Sequence, residues 1–129
     1  MLRVPLIGLI VCLGLGAGAL GAEPRAGIEG KIVAGPTCPV ERVPPDPRCA
    51  PRPLAATLRI HPAGRRTPAE TVRSGRDGRF KVRLAPGLYV VDALGRRGSP
   101  LPRPPAARDV RVRVRRFTRV TITYDTGIR

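Results

Sequence analysis

The stretch Arg79-Phe80-Lys81-Val82-Arg83-Leu84 decides the fold class, because its charged and apolar side chains alternate strictly. Successive side chains of a β-strand point to opposite faces, so Phe80, Val82 and Leu84 share one face and the three cations share the other. Such a pattern is typical of an antiparallel sheet with one buried face and one solvated face. The stretch therefore predicts a half-buried β-strand.

The same alternation recurs along the chain, whereas a helical period does not, and this predicts an all-β protein. The candidate strands are Ile28–Ala34, Ala56–His61, Glu70–Arg73, Arg79–Leu84, Leu88–Ala93, Val110–Arg115 and Arg119–Tyr124. Turn residues separate the middle strands, with Asp77-Gly78 suited to a tight hairpin and Pro86-Gly87 to a second turn. Seven short strands with such turns predict a seven-stranded Greek-key β-sandwich.

Length and composition exclude several classes of function. The chain has 129 residues and a formal net charge of +15, with 22 Arg and 2 Lys, no Trp, four other aromatic residues and one His. This length has room for one domain. Stacking of single-stranded nucleic acid needs interleaved aromatic side chains, and general acid–base catalysis most often uses His or perturbed carboxylates. We therefore expect neither a nucleic-acid partner, nor an enzyme, nor a cofactor.

Residues Met1–Ala22 have the pattern of a secretory signal peptide. Arg3 supplies the positive region, Leu6–Leu15 the apolar region, and Ala19-Leu20-Gly21-Ala22 a small-residue cleavage zone. Cleavage after Ala22 leaves one domain, residues 23–129, with a net charge of +14. We expect it in the periplasm, at the cell surface or in the medium. An uncleaved anchor is the alternative, because the apolar stretch is almost as long as a membrane span.

Two cysteines remain after cleavage, Cys38 and Cys49, and an isolated pair in an exported chain indicates a disulfide. They lie in residues 36–53, which contain seven Pro and therefore lack too many N–H donors for a central strand. We predict a disulfide-pinned surface loop there. A metal site is the alternative, but it would need Cys38, Cys49, His61 and a carboxylate without the paired spacing of zinc motifs.

The strings Arg73-Ser74-Gly75-Arg76-Asp77-Gly78-Arg79-Phe80 and Leu84-Ala85-Pro86-Gly87-Leu88-Tyr89-Val90-Val91 resemble turns of the carboxypeptidase regulatory-like family. An opening strand ending in Gly, here Gly30-Lys31-Ile32-Val33-Ala34-Gly35, adds to the likeness, which spans Ala26 to Tyr124. The resemblance implies a transthyretin-like (prealbumin-like) β-sandwich. It implies a non-catalytic binding or structural module of the cell envelope or extracellular space, without carboxypeptidase activity.

A narrower resemblance is to small exported bacterial proteins of this family. They share the Gly-Pro-x-Cys-Pro-Val segment at Gly35–Val40, a second nearby cysteine, Cys49, and the ending Tyr124-Asp125-Thr126-Gly127-Ile128-Arg129. This resemblance assigns the chain to a subgroup without naming a ligand.

Outward-facing cations make polyanion binding an alternative function. The candidate anion-binding residues are Arg79, Lys81, Arg83, Arg111, Arg113 and Arg115. They could contact the anionic groups of a cell-surface polymer, and another envelope protein is the other expected partner. The alternative is that these cations bind no ligand and form a solvated sheet face whose charges discourage edge-to-edge pairing. That the two sets form one continuous face is a hypothesis.

Asp125-Thr126-Gly127 matches the catalytic triplet of aspartic proteases, in which two aspartates share one proton. A small hydrolase that uses Asp125 is therefore a further alternative. Only one copy of the triplet occurs in the sequence, so we favour a strand-ending turn.

Overall fold

The structure is a computed structural model that describes residues 25–65 and 70–129. These residues form two packed β-sheets, with no α-helix and one short 3-10 turn, Pro47–Cys49. The predicted signal segment Met1–Ala22 lies outside the described residues. The all-β sandwich expected from the alternation of side chains is confirmed.

Eight strands follow one another along the described chain. They are β1 Gly27–Gly35, β2 Arg52–Pro53, β3 Thr57–Pro62, β4 Glu70–Arg73, β5 Arg79–Arg83, β6 Gly87–Ala93, β7 Arg108–Val112 and β8 Phe117–Asp125. All seven predicted strands are present, but the predicted count of seven is wrong. The additional strand, β2, lies at the end of the Pro-rich segment and has two residues, so it has no side-chain period to detect.

The first sheet is built around β1. Strand β8 runs parallel to β1 over its whole length, from the pair Gly27–Phe117 to the pair Gly35–Asp125. On the other side, β5 and β2 pair antiparallel with successive parts of β1. Gly30 permits the close approach of β8, because a Cβ at this position would collide with the carbonyl oxygen of Val120. We call this layer the β1 sheet.

The second sheet has the order β4-β3-β6-β7, with antiparallel pairing throughout. We call it the β3 sheet. The inner faces of the two sheets enclose one apolar core, to which every strand except β2 and β4 contributes buried side chains. Phe80 and Val82 of β5 and the adjacent Leu84 are all buried there, as their alternation predicts. Full burial of an aliphatic or aromatic side chain contributes about 2 kcal/mol, so this alternation stabilises the sandwich directly.

In the predicted strand Val110–Arg115 the alternation places Val110, Val112 and Val114 on one buried face, but Val114 is 67% exposed. Strand β7 ends at Val112, and the chain then turns through Arg113–Arg116 into β8. Arg115 has a positive φ of 57° in this turn. The alternation in the sequence therefore continues beyond Val112, although the strand ends there.

Ser74 is a buried polar residue that joins the two sheets at one end of the sandwich. Its hydroxyl donates to the carbonyl of Leu54 at 2.8 Å and accepts from the amide of Ala56 at 2.9 Å. These bonds hold the β2–β3 connection against the end of β4. Gly78, in the predicted Asp-Gly turn, has a left-handed φ of 74°, and a Cβ there would meet the carbonyl oxygen of Ile32.

Candidate functional site

The outer face of the β1 sheet carries a row of cations on β5. Arg79, Lys81 and Arg83 are exposed there, while the residues between them point into the core. The strand register places Lys31 of β1 opposite Arg79. Arg119 of β8 joins the same face, because it pairs with Glu29 of β1, which itself pairs with Lys81.

A depression of about 670 Å³ lies in this face, lined by Glu29–Lys31, Arg79–Lys81 and Arg119–Thr121. Within this lining Arg119 Nε lies 3.5 Å from Glu29 Oε1, so one positive charge is already paired. Lys81 Nζ lies 4.3 Å from the centroid of the Phe117 ring, a cation–π contact across β1. The face is therefore basic, and its charges are partly engaged within the protein.

The structure separates the six candidate anion-binding residues into three places. The β5 triplet lies on the outer face of the β1 sheet, whereas Arg111 belongs to β7 at the edge of the β3 sheet. Arg113 and Arg115 lie in the turn that follows β7. The hypothesis of one continuous basic face formed by both sets is therefore wrong, because Arg111 belongs to the other sheet and Arg113 and Arg115 lie outside the strands.

Two cations on the basic face, Lys31 and Arg119, were not among the candidates chosen from the sequence. Each precedes a buried residue in its strand, Lys31 before Ile32 and Arg119 before Val120, so the alternation alone could have placed both on an outer face. The pairing that brings them to β5 is nonlocal, since β8 follows β1 by about eighty residues and pairs with it in parallel.

Cys38 and Cys49 form the predicted disulfide, with their Cα atoms 5.2 Å apart. Sulfur atoms joined in this way are not thiolate ligands, so the alternative metal site at Cys38, Cys49 and His61 is not formed. No cluster of three His, Cys, Asp or Glu suited to a metal occurs within residues 25–65 and 70–129.

The loop closed by this disulfide is held at both ends. Thr37 Oγ1 donates to the carbonyl of Ala50 at 3.2 Å, and Thr126 Oγ1 donates to the carbonyl of Pro36. Within the loop, the Arg48 side chain and amide both donate to Asp46, which lowers the pKa of that carboxyl group. Val43, at the exposed side of the loop, is 99% accessible.

Asp125, the residue of the hydrolase alternative, is held in a strand-ending turn. Arg129 Nη2 lies 3.0 Å from Asp125 Oδ2, and the amide of Gly127 donates to Asp125 Oδ1 at 2.8 Å. Hydrogen bonding from Arg129, followed by that from Gly127, lowers the pKa of Asp125. This stabilises the ionised form, whereas a protease dyad needs a proton held between two carboxyl groups.

No protein-family model matches the chain, and no curated protein matches it. Among solved structures, the fold is similar to GBS52, the minor pilin of the Gram-positive pathogen Streptococcus agalactiae, with a TM-score of 0.57 and 16% identity. The match covers 78% of this chain and 44% of the pilin, so this chain spans less than half of the pilin's length. This similarity supports a β-sandwich; the narrower carboxypeptidase regulatory-like assignment stays a prediction. Within the described residues, none of the helical segments has the length and hydropathy to span a membrane.

Proposed function

We propose that this protein is an exported, non-catalytic β-sandwich module that serves as a structural or binding unit in the cell envelope or extracellular space. The Cys38–Cys49 disulfide carries the proposal, because such bonds persist in oxidising compartments outside the cytoplasm. The similarity in fold to GBS52, a minor pilin, supports a structural role. The carboxypeptidase regulatory-like family remains the proposed relationship, with Met1–Ala22 as a cleaved signal peptide and residues 23–129 as the module.

Export is tested by expressing the full chain in a bacterial host and analysing the extracytoplasmic fraction by intact-mass and peptide mass spectrometry. We expect a mature N-terminus at Glu23 and a peptide pair linked through Cys38 and Cys49. A Cys38→Ser variant is the matched control, in which the linked pair disappears while the N-terminus stays the same. Retention in the cytoplasm, or free thiols in the exported protein, would contradict the proposal.

The absence of catalysis is tested at Asp125, where the turn and the Arg129 ion pair support a structural role. We expect no peptide hydrolysis by the purified protein, and no difference between the wild type and Asp125→Asn. Hydrolysis that is lost in Asp125→Asn and kept in Asp77→Asn, a substitution in another turn, would establish the hydrolase alternative.

A second candidate function is binding of a cell-surface polyanion to the outer face of the β1 sheet. The observation that favours it is the convergence of Lys31, Arg79, Lys81 and Arg119 on this face, where Glu29 is the acidic residue among the described lining. Arg79 also lies 4.0 Å from Asp77 in the adjacent turn. Cationic contacts to a polyanion release counterions, so such binding weakens steeply as salt is added.

The two separated sets of cations provide a matched test on a heparin column. Arg79→Gln/Lys81→Gln/Arg83→Gln and Arg111→Gln/Arg113→Gln/Arg115→Gln each remove three positive charges. We expect the first variant to elute at lower salt, with the salt-dependence slope reduced by about one for each lost contact. The second variant should elute close to the wild type. Equal losses in both variants would mean that net charge alone causes retention, and would contradict a specific face.

A further inference from the structure

A second cavity, of about 480 Å³, lies at the end of the sandwich where the chain passes from β2 to β3. Its walls are Leu54–Thr57, Leu94–Arg97 after β6, and Pro102, and Tyr124 of β8 also lines it. Arg73, at the end of β4, completes the lining. The volume is in the range of cavities that bind small ligands or a few residues of a peptide.

Of the residues that the structure describes, three arginines, Arg73, Arg96 and Arg97, line this cavity, and no acidic residue does. All three are exposed, and none of them forms an ion pair with any other residue in 25–65 or 70–129. Arg73 Nη1 donates to Thr57 Oγ1 at 3.3 Å, which orients its guanidinium group at the cavity. A guanidinium group has five N–H donors, so this bond leaves most of them for a ligand. We call this site the arginine cleft.

The arginine cleft differs in charge from the depression on the β1 sheet. Glu29 lines that depression and pairs with Arg119. Among the described residues, no acidic side chain lines the cleft. The cleft therefore presents the more uniformly positive surface to an anionic ligand.

The base of the cleft is formed by buried, hydrogen-bonded residues. Tyr124 is 1% exposed, and its hydroxyl donates to the carbonyl of Leu94 at 2.7 Å. Burial, with a smaller contribution from Asp92, raises the pKa of Tyr124, so the phenol stays neutral. Leu54 and Ala56 are also buried, and their backbone groups are hydrogen-bonded to Ser74.

We propose that the arginine cleft binds an acidic peptide segment of a partner protein, with carboxylates on the guanidinium groups of Arg73, Arg96 and Arg97. Arginine binds carboxylates through two parallel hydrogen bonds, which makes it well suited to this role. Apart from the arginines, Thr57 and Tyr124 are the lining residues with polar side chains, so the cleft lacks the amide and carboxylate groups that would bind sugar hydroxyls. The inference rests on the proposed binding role and names its partner class, at a site separate from the basic β1-sheet face.

The probe is the acetylated, amidated tripeptide Glu-Leu-Glu, titrated into the secreted, oxidised protein and followed by NMR of backbone amides and arginine side chains. We expect saturable shifts at Arg73 and Leu94–Arg97. Arg73→Gln/Arg96→Gln/Arg97→Gln should weaken binding by about tenfold or more, because charge-assisted hydrogen bonds are lost. Arg79→Gln/Lys81→Gln/Arg83→Gln removes the same charge elsewhere and should change affinity by less than about threefold.

Further measurements separate the alternatives. The Gln-Leu-Gln tripeptide should not bind, and a heparin oligosaccharide should not displace Glu-Leu-Glu from the cleft. The Arg96→Gln/Arg97→Gln variant keeps the Arg73–Thr57 bond and should still lose affinity, which excludes a folding defect as the cause. Absence of shifts in the cleft, equal effects of both triple variants, or displacement by heparin would each overturn the proposal. If the wild-type protein binds Glu-Leu-Glu but is not retained on heparin, only the polyanion function is refuted.

Discussion

Two tyrosine hydroxyl groups donate hydrogen bonds of the same length at opposite ends of the sandwich. The two bonds differ in the sequence separation of the residues that they join. Tyr124 donates to the carbonyl of Leu94 at 2.7 Å, over a sequence separation of 30 residues. Tyr89, near the start of β6, donates to the carbonyl of Ala85 at 2.7 Å, over a separation of four. The end near Tyr89 is therefore closed by local turn geometry, and the end near Tyr124 by tertiary contacts.

The end of the sandwich near Tyr124 also contains the disulfide, buried Ser74 and the arginine cleft. Long Pro-rich connections cannot satisfy their backbone groups through a ladder, so they need anchors from elsewhere in the chain. The comparison teaches that the end with the long loops depends on nonlocal bonds for its shape. Substitutions that remove those bonds should disturb the arginine cleft more than equivalent substitutions at the end near Tyr89.

The largest effect is expected for Tyr124→Ala, which removes a fully buried ring and its hydrogen bond. We expect a loss of about 4 kcal/mol in the free energy of unfolding, as for other large aromatic truncations. Urea denaturation measures it, and Tyr89→Ala at the local end is the comparison, with a smaller loss because Tyr89 is less completely buried. Equal or reversed losses would remove the distinction between the two ends.

The next effect is expected for Cys38→Ser/Cys49→Ser, which opens the loop between residues 38 and 49. Closing a loop of this length stabilises a protein by about 3 kcal/mol in the chain-entropy account. The denaturation midpoint should fall by the corresponding amount, and reduction of the wild type should reproduce it. A variant as stable as the oxidised protein would show that the other tethers of the loop suffice.

A smaller loss is expected for Ser74→Ala, which leaves the Leu54 carbonyl and the Ala56 amide without their buried partner. The expected cost is about 2 kcal/mol, the range for an unsatisfied buried polar group. Ser99→Ala is the matched control, because Ser99 is exposed and donates only to the nearby Leu101 carbonyl. The control should change stability by less than about 0.5 kcal/mol. Similar losses in the two variants would contradict the bridging role of Ser74.

The smallest effect concerns Asp125, whose pKa Arg129 lowers in the folded protein. A lowered folded-state pKa contributes stability above the unfolded-state pKa, and that stability is lost as the pH falls through the folded-state pKa. Arg129→Gln should therefore raise the Asp125 pKa toward its ordinary value in a carboxyl NMR titration. Asp46, which is paired with Arg48, is the internal control and should keep its lowered pKa. An unchanged Asp125 titration would show that Gly127 alone holds the carboxylate.

Local chemistry made much of the fold predictable. Alternation placed Phe80, Val82 and Leu84 in the core because neighbouring side chains of a strand point to opposite faces wherever the strand lies. The disulfide could be predicted from an isolated cysteine pair that follows a predicted signal segment, and the structure contains it. Alternation failed at Val114, because the pattern does not show where the backbone turns away from the sheet.

The candidate sites depended much more on tertiary structure. The sequence determined which side of each strand is charged, and it determined the excess of arginine. Only the tertiary structure placed Arg119 beside β5 and Arg111 in the other sheet, and only it gathered Arg73, Arg96 and Arg97 around Tyr124. The physical reason is that side-chain alternation is a property of neighbouring residues, whereas strand pairing and loop packing join residues far apart in the chain.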